Sequence, residues 1–230
     1  MFLPMPTNET ELQVAVSELV SLHRDIDTPN ERVKKISAYL KSWNIDTVVV
    51  GISGGVDSAL VLALLNKIPN IKIYATTIAF DQYNGIFNPE YVYELKQKFN
   101  SEKIIWNHTD LSLAFGVFSD TLYGDIGPAI DANVNYAMRY LAFFALAQAT
   151  GGITVGTTNY DEMGYAGWFG KNSDMVVDIQ PIADLHKFEV IRWARQLGVP
   201  ECICTRAPTG DLIDGTSDEE NFGCTYDELS

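Results

Sequence analysis

The amino-acid sequence predicts an α/β fold with a doubly wound parallel sheet. Four short runs rich in β-branched residues alternate with longer amphipathic segments, which is the pattern of parallel strands joined by crossover helices. A glycine pair directly follows the first of these runs and precedes a helix-forming segment, as at the ligand-binding turn of such sheets. The 230 residues suffice for one large domain, and we expect a single domain over residues 1–230.

Two helices are predicted within residues 1–45, ahead of the first strand. The first is placed within Glu9–Leu22. The second begins at a capping box, Thr28 with Glu31, that has Pro29 at the first helical position. Its apolar residues then recur at helical spacing through Val33, Ile36, Leu40 and Trp43.

The strands and helices that follow form the predicted nucleotide-binding core, residues 46–200. The predicted strands are Thr47–Ile52, Ile71–Ala79, Lys103–Trp106 and Ile153–Thr157. The predicted helices begin at Ala59, run over Pro89–Phe99 and Asp131–Ala149, and extend from a cap at Asp184 to Leu197. Asp131 is expected to be the N-cap of the long third helix, and Gly198 to end the last one.

The last 30 residues form an acidic segment, residues 201–230. No Lys or Arg occurs between Ala207 and Ser230. A further capping box at Thr225 and Glu228 predicts a helix, but only two residues follow it. A helix start without a helix predicts that the sequence is truncated here.

Composition and charge restrict the classes of partner and the compartment. The formal net charge of −14 argues against DNA or RNA, because phosphate binding needs a basic face. No apolar run approaches the roughly 20 residues needed to span a bilayer. The three cysteines, Cys202, Cys204 and Cys224, fit a reducing compartment. We therefore expect a cytoplasmic protein without nucleic-acid or membrane partners.

The turn after the first strand, Ser53-Gly54-Gly55-Val56-Asp57-Ser58, is typical of a loop that binds an anion. Glycines allow its backbone amides to turn towards an anion at the helix start, and the serines add hydroxyl donors. The loop is shorter than a Walker A loop and lacks its lysine, which favours pyrophosphate held as a leaving group. Asp57 would repel that anion without a cation between them, so Asp57 is a candidate Mg²⁺ ligand. The alternative is a tight turn in which Asp57 merely caps the helix.

These residues resemble a known family. Val50–Leu60 resembles the ATP-pyrophosphatase loop of the adenine nucleotide α-hydrolase-like superfamily, whose fold is Rossmann-like. Further blocks in the same order resemble NAD synthetase, and the resemblance covers Thr28–Ser230. The blocks comprise Gly156-Thr157-Thr158-Asn159, Glu162, Lys171, Asp174, Asp178, Pro181-Ile182, Lys187, Leu197-Gly198-Val199-Pro200, Pro208-Thr209-Gly210-Asp211-Leu212 and Ser217-Asp218-Glu219-Glu220.

The resemblance implies an ATP-dependent amidation of deamido-NAD by ammonia, with Mg²⁺ as cofactor. The carboxylate of deamido-NAD attacks the α-phosphate of ATP, and ammonia then displaces AMP. Asp57, Lys187 and Thr209 are the implied catalytic residues, and Asp57 and Glu162 the metal ligands. The implied ATP-binding residues are Gly51, Ser53, Gly54, Gly55, Asp57, Ser58, Thr157, Lys187 and Thr209. The implied deamido-NAD-binding residues are Asn133, Arg139, Lys171, Asp174 and Asp178.

The resemblance also implies a homodimer, and Asp131–Ala149 is a candidate interface helix. Only 46 residues precede the first predicted strand, too few for a glutaminase domain, so ammonia is the expected nitrogen donor, with glutamine through a separate subunit as the alternative. Ala137 stands where the family has the first of two arginines, and Asn221 where it often has an acid. A GMP synthetase-like enzyme and a nucleotide-binding module that has lost catalysis are the alternative functions.

Overall fold

A computed structural model describes residues 27–80, 89–122, 128–165, 172 and 174–206. The predicted helix within Glu9–Leu22, the site residues Lys171 and Thr209, Asn221 and the capping box at Thr225 lie outside the described residues.

The structure confirms the predicted α/β fold with a parallel sheet. Its four strands, all paired in parallel, lie in the order β3-β2-β1-β4. They are β1 (Thr47–Gly51), β2 (Lys72–Ala79), β3 (Ile104–Asp110) and β4 (Ile153–Val155). The chain leaves β1 for β2 on one side and returns to β4 on the other. The carboxyl ends of β1 and β4 therefore flank the topological switch point, where sheets of this class bind ligands.

Seven α-helices and one π-helical turn connect and cover the strands in the described part of the chain. The helices are α1 (Pro29–Ser42), α2 (Val56–Asn66), α3 (Pro89–Lys98), α4 (Ser112–Leu122), α5 (Pro128–Thr150), α6 (Lys187–Gln196) and α7 (Glu201–Cys204). The π-helical turn is Asp161–Tyr165. The helix α2 is apolar on all sides and almost wholly buried, because α1 and α6 cover it on the side away from the sheet.

The opposite face of the sheet is covered by α5, which approaches β1 closely. A Cβ atom added to Gly51 would lie 2.7 Å from Cζ of Phe143. Gly51 therefore allows the Phe143 ring to rest on the strand end beside the predicted binding loop, a packing role that was not predicted for it.

Several predicted element starts or ends are wrong. The strand β4 ends at Val155 and not at Thr157, and α2 begins at Val56, three residues before Ala59. Asp131 is not an N-cap, because α5 already begins at Pro128, a residue well suited to a first helical turn. Asp184 does not cap α6, whose N-cap is His186. The strand predicted to end at Trp106 continues to Asp110, because β2 pairs with it as far as Ala79. The helices α4 and α7 and the π-helical turn were not predicted.

Asp184 instead binds Arg32, and this contact ties α1 to the segment before α6. Arg32 donates to both carboxylate oxygens of Asp184, at 2.7 and 2.6 Å, and to the carbonyl of Pro181. Its Nε donates to Asp27 at 2.9 Å, and the Arg32 side chain is only 10% exposed. The predicted cap residue is thus one half of a tertiary ion pair.

Replacing Arg32 by alanine is expected to lower the free energy of unfolding by about 2 kcal/mol, because a largely buried guanidinium is removed from the half-exposed Asp184 and the mostly buried Asp27. Lys35→Ala is the matched control: Lys35 also binds Asp27, but its side chain is 70% exposed. Its cost should be about 0.5 kcal/mol or less. Urea unfolding followed by circular dichroism measures both, and equal losses would contradict this view of Arg32.

Candidate active site

The loop Ser53–Ser58 lies at the carboxyl end of β1 and forms the start of α2. Gly54 has a φ of 86°, a backbone conformation that favours glycine. Two serine hydroxyls hold the loop: Gly55 N donates to Ser53 Oγ at 3.2 Å, and Ser58 Oγ donates to Gly55 O at 3.1 Å. The buried helix α2 thus presents its N-terminus at the switch point, where its dipole favours an anion.

Asp57 does not act as the helix cap. The N-cap of α2 is Gly55, so no side chain caps this helix. The Asp57 carboxylate instead receives Lys187 Nζ on Oδ2 at 2.6 Å and Asn159 Nδ2 on Oδ1 at 2.9 Å. The structure therefore rejects the simple capping alternative for Asp57 and joins it to two residues far along the chain.

Lys187 is the centre of this cluster. Its side chain is only 6% exposed, and Nζ lies 3.7 Å from Glu162 Oε1 as well as 2.6 Å from Asp57. One buried ammonium group therefore faces two carboxylates. Three predicted site residues, from α2, the π-helical turn and α6, meet at this point.

Asn159 connects the two carboxylates, a role that was not predicted. Its amide nitrogen donates to Asp57, and its Oδ1 accepts the backbone N–H of Glu162 at 3.0 Å. Asn159 N in turn donates to Glu162 Oε2 at 3.3 Å, and the residue is fully buried. Thr157 lies just before it, beyond the carboxyl end of β4. The block Gly156–Asn159 was singled out in the sequence, but nothing local in it identifies Asn159 as the connecting residue.

The described residues predicted to bind deamido-NAD lie on α5 and in the segment 174–178. The guanidinium of Arg139 lies over the rings of Phe80 and Tyr136, at 5.4 and 5.1 Å from their centres. Tyr140 donates to Asp174 Oδ1 at 2.8 Å. Burial, and next the negative charge of Asp174, raise the pKa of Tyr140 well above its ordinary value. Asn133 is exposed on the same helix.

Asp178 has a structural contact that its predicted role did not include. Its Oδ2 accepts both the backbone N–H and the hydroxyl of Thr154, at 2.7 and 2.8 Å. The neighbouring Ile179 forms a parallel bridge with Val155. Asp178 thus fastens the segment after the π-helical turn to the edge of β4.

Two predicted site residues, Asp57 and Glu162, have the chemistry of magnesium ligands. Carboxylate oxygens are hard donors, and Mg²⁺ is usually held by one or two carboxylates together with phosphate oxygens and water. Both carboxylates already face one cationic group, the Lys187 ammonium. Among the described residues there is no cluster of three or more His, Cys, Asp or Glu side chains that could hold a metal alone. The pair alone therefore offers a weak metal site, which phosphate oxygens and water would complete.

The structure also describes two features that the composition addressed, namely membrane-spanning segments and cysteines. In the part of the chain that the structure describes, no helix is both long and apolar enough to cross a membrane. Cys202 and Cys204 are free thiols, the first exposed and the second buried. Burial raises the pKa of the Cys204 thiol.

Comparison with known proteins identifies the family. The family model described as NAD synthase matches residues 28–230. The NH(3)-dependent NAD(+) synthetase of Mycoplasma genitalium is 33% identical over 197 residues, which cover 83% of this chain and 76% of that protein. The one from Mesoplasma florum is 34% identical, over 86% and 80%. A solved structure of an NMN synthetase from Francisella tularensis superimposes with a TM-score of 0.77 at 27% identity, over 89% and 85%. This chain belongs to the NAD synthase family.

Proposed function

We propose that this protein is an NAD synthetase that amidates deamido-NAD with ammonia at the expense of ATP. The observation that carries the proposal is the meeting of Asp57, Glu162 and Lys187 beside the loop Ser53–Ser58, at the switch point of the sheet. The relatives named above support ammonia as nitrogen donor, since their names specify NH(3). They also favour this function over a GMP synthetase-like one.

The reaction has two steps. A carboxylate oxygen of deamido-NAD attacks the α-phosphorus of ATP, and the bond between that phosphorus and the bridging oxygen to the β-phosphate breaks, which releases pyrophosphate. Ammonia then attacks the acyl carbon, the bond to AMP breaks, and the nitrogen loses a proton to leave the carboxamide. Neither step needs an oxidant or a reductant.

The residues of the site match the charge that develops in the first step. The amides of the loop and the N-terminus of α2 face the position of an anionic leaving group. Lys187 and Thr209 are proposed to bind the phosphates, and Thr157 the nucleotide. When bound by Asp57 and Glu162, Mg²⁺ would neutralise charge on the phosphate oxygens. The buried ammonium of Lys187, which lies 2.6 Å from Asp57 in the protein alone, is proposed to do the same from its side.

The experiment that tests the function is a product assay. The protein is incubated with ATP, Mg²⁺, ammonium and deamido-NAD, and AMP and NAD are measured. Equal amounts of AMP and NAD support the proposal. AMP formed only with xanthosine monophosphate as acceptor would favour the GMP synthetase-like alternative, and ATP binding without AMP from any acceptor would favour a module that has lost catalysis.

A second candidate substrate is nicotinate mononucleotide. The solved NMN synthetase structure matches this chain with a TM-score of 0.77. Ala137 also stands where the resemblance places an arginine of the family, and a mononucleotide has one phosphate group to bind where deamido-NAD has two. The ratio of kcat/KM for the two acceptors separates the candidates: a larger value for the mononucleotide would make this chain an NMN synthetase.

We further propose a cytoplasmic homodimer in which α4 and α5 face a second copy. Large apolar side chains on these two helices are exposed: Leu113, Val117, Phe118, Leu122, Leu141 and Phe144. Exposed apolar side chains on two helices that contact each other are typical of an interface. The predicted interface helix, Asp131–Ala149, is most of α5.

Replacing Leu141 by glutamate is expected to shift the protein from dimer to monomer, because a charge would be buried in the interface. Trp43→Glu is the matched control, since Trp43 is 68% exposed at the end of α1, away from α4 and α5. Light scattering after gel filtration measures the mass of each variant. A dimer that survives Leu141→Glu would place the interface elsewhere.

A further inference from the structure

Asp161 is a completely buried carboxylate beside the active site, and nothing in the proposed reaction uses it. Its relative exposure is 0%, and it directly precedes Glu162 in the π-helical turn. Burying a carboxylate is costly unless hydrogen bonds compensate. The contacts that compensate for this cost show what Asp161 does.

Both carboxylate oxygens of Asp161 bind the start of α6. Oδ2 accepts the backbone N–H of Lys187 at 2.7 Å, and Oδ1 lies 2.6 Å from His186 Nδ1. His186 is the N-cap of α6 by its backbone conformation, so Asp161 supplies from another element the acceptor that helix starts require.

The His186 ring is itself held in place. It stacks on Phe188 with a centroid distance of 5.6 Å and an interplanar angle of 11°, and it meets Tyr160 edge-on at 5.1 Å. The backbone N–H of His186 donates to Glu189 Oε2 at 2.8 Å, within the first turn of α6. Because the His186 ring is packed on two sides, its contact with Asp161 fixes the π-helical turn relative to the start of α6.

This contact joins two of the three elements that carry the reactive groups, the π-helical turn and α6. Lys187 is the first residue of α6, and its own N–H is bound by Asp161. Glu162 is the next residue after Asp161, and its carboxylate faces Lys187 Nζ at 3.7 Å. A shift of the start of α6 against the π-helical turn and α2 would change the Lys187–Glu162 and Lys187–Asp57 distances together.

We propose that Asp161 is a positioning residue, which fixes the Lys187 ammonium against Asp57 and Glu162 by capping α6 from the π-helical turn. The inference rests on the proposed function for the role of Lys187 in catalysis. Because Asp161 is fully buried, it acts through Lys187 and not by touching substrate. A displacement of about 1 Å in such a group can cost on the order of 100-fold in rate.

The test compares Asp161→Asn and Asp161→Ala with Asp184→Asn. Asp184→Asn is the control for lost stability, because Asp184 also accepts two hydrogen bonds in a tertiary contact but binds Arg32, outside the site. At a temperature where all variants are folded, kcat should fall about 10- to 100-fold in Asp161→Ala and less in Asp161→Asn. KM for deamido-NAD should stay within about threefold of the wild-type value, and Asp184→Asn should keep wild-type kcat.

A second measurement does not depend on the acyl acceptor: the affinity for inorganic pyrophosphate, by calorimetry. Asp161→Asn should weaken it, but should have no further effect in a Lys187→Met background, because both changes act on one group. Equal effects in both backgrounds, or a lower melting temperature with unchanged kcat, would overturn the proposal. If the wild-type protein binds pyrophosphate but makes no NAD, the proposed function fails, while the pyrophosphate affinities still decide the role of Asp161.

Discussion

Asp57→Asn is expected to lower kcat by about 100- to 1000-fold, the cost of removing one group that stabilises developing charge. The carboxylate lies at the start of α2, against the Lys187 ammonium at 2.6 Å, where the pyrophosphate is proposed to leave. An amide of the same shape keeps the bulk but loses the charge that a metal ion needs. Apparent ATP affinity should change much less, because the loop amides remain.

Glu162→Gln should lower kcat in the same direction by about 10- to 100-fold, because Glu162 lies farther from Lys187, at 3.7 Å. Asp110→Asn is the control, an acidic residue at the end of β3 that bonds to Ser112 outside the site. Initial rates of AMP release at saturating substrates measure all three. Turnover within threefold of wild type in both site variants would refute the metal assignment.

The fold was predictable because each strand and most helices have local signals. The capping box at Thr28 forms with both of its bonds, and Pro89 begins a helix as expected. The helix α4 was missed for a physical reason. Only Phe115 is buried, while four other large apolar residues are exposed in the single chain, so the sequence lacks the polar outer face of an ordinary surface helix. Gly116 also weakens the helix signal.

The site was predictable only in part. Residues that belong to recognisable sequence blocks were predicted, whereas contacts between residues far apart along the chain were not. Asp57, Glu162 and Lys187 each follow a recognisable block, and the parallel sheet brings the ends of β1 and β4 together. The Asp161–His186 bond joins residues 25 apart through a π-helical turn. The Arg32–Asp184 pair joins residues 152 apart. No local pattern encodes either contact, and Asp184 was therefore mistaken for a cap.

Lys187→Met is expected to lower kcat by about 100- to 1000-fold, because it removes a buried cation from a site where negative charge develops. Lys187→Arg should not restore it, because the side chain is 6% exposed and a planar guanidinium needs more room than an ammonium. Methionine keeps the length and the apolar packing of the stem, so the loss reports the charge. Steady-state kinetics with deamido-NAD, together with melting temperatures, measures these effects.

The Lys187→Met variant also tests whether the Lys187 ammonium acts through its charge or only fills space in the site. In the protein alone, Lys187 neutralises the two carboxylates that the metal needs, at 2.6 and 3.7 Å. Without nucleotide, Lys187→Met should therefore bind Mn²⁺ about 10-fold more tightly than wild type, since a repelling charge has gone. Asp57→Asn should bind it more weakly. Electron paramagnetic resonance of free Mn²⁺ measures both, and since the two variants shift metal affinity in opposite directions, a general loss of structure cannot imitate the pair. Weaker Mn²⁺ binding by Lys187→Met would show that the two carboxylates do not form the metal site.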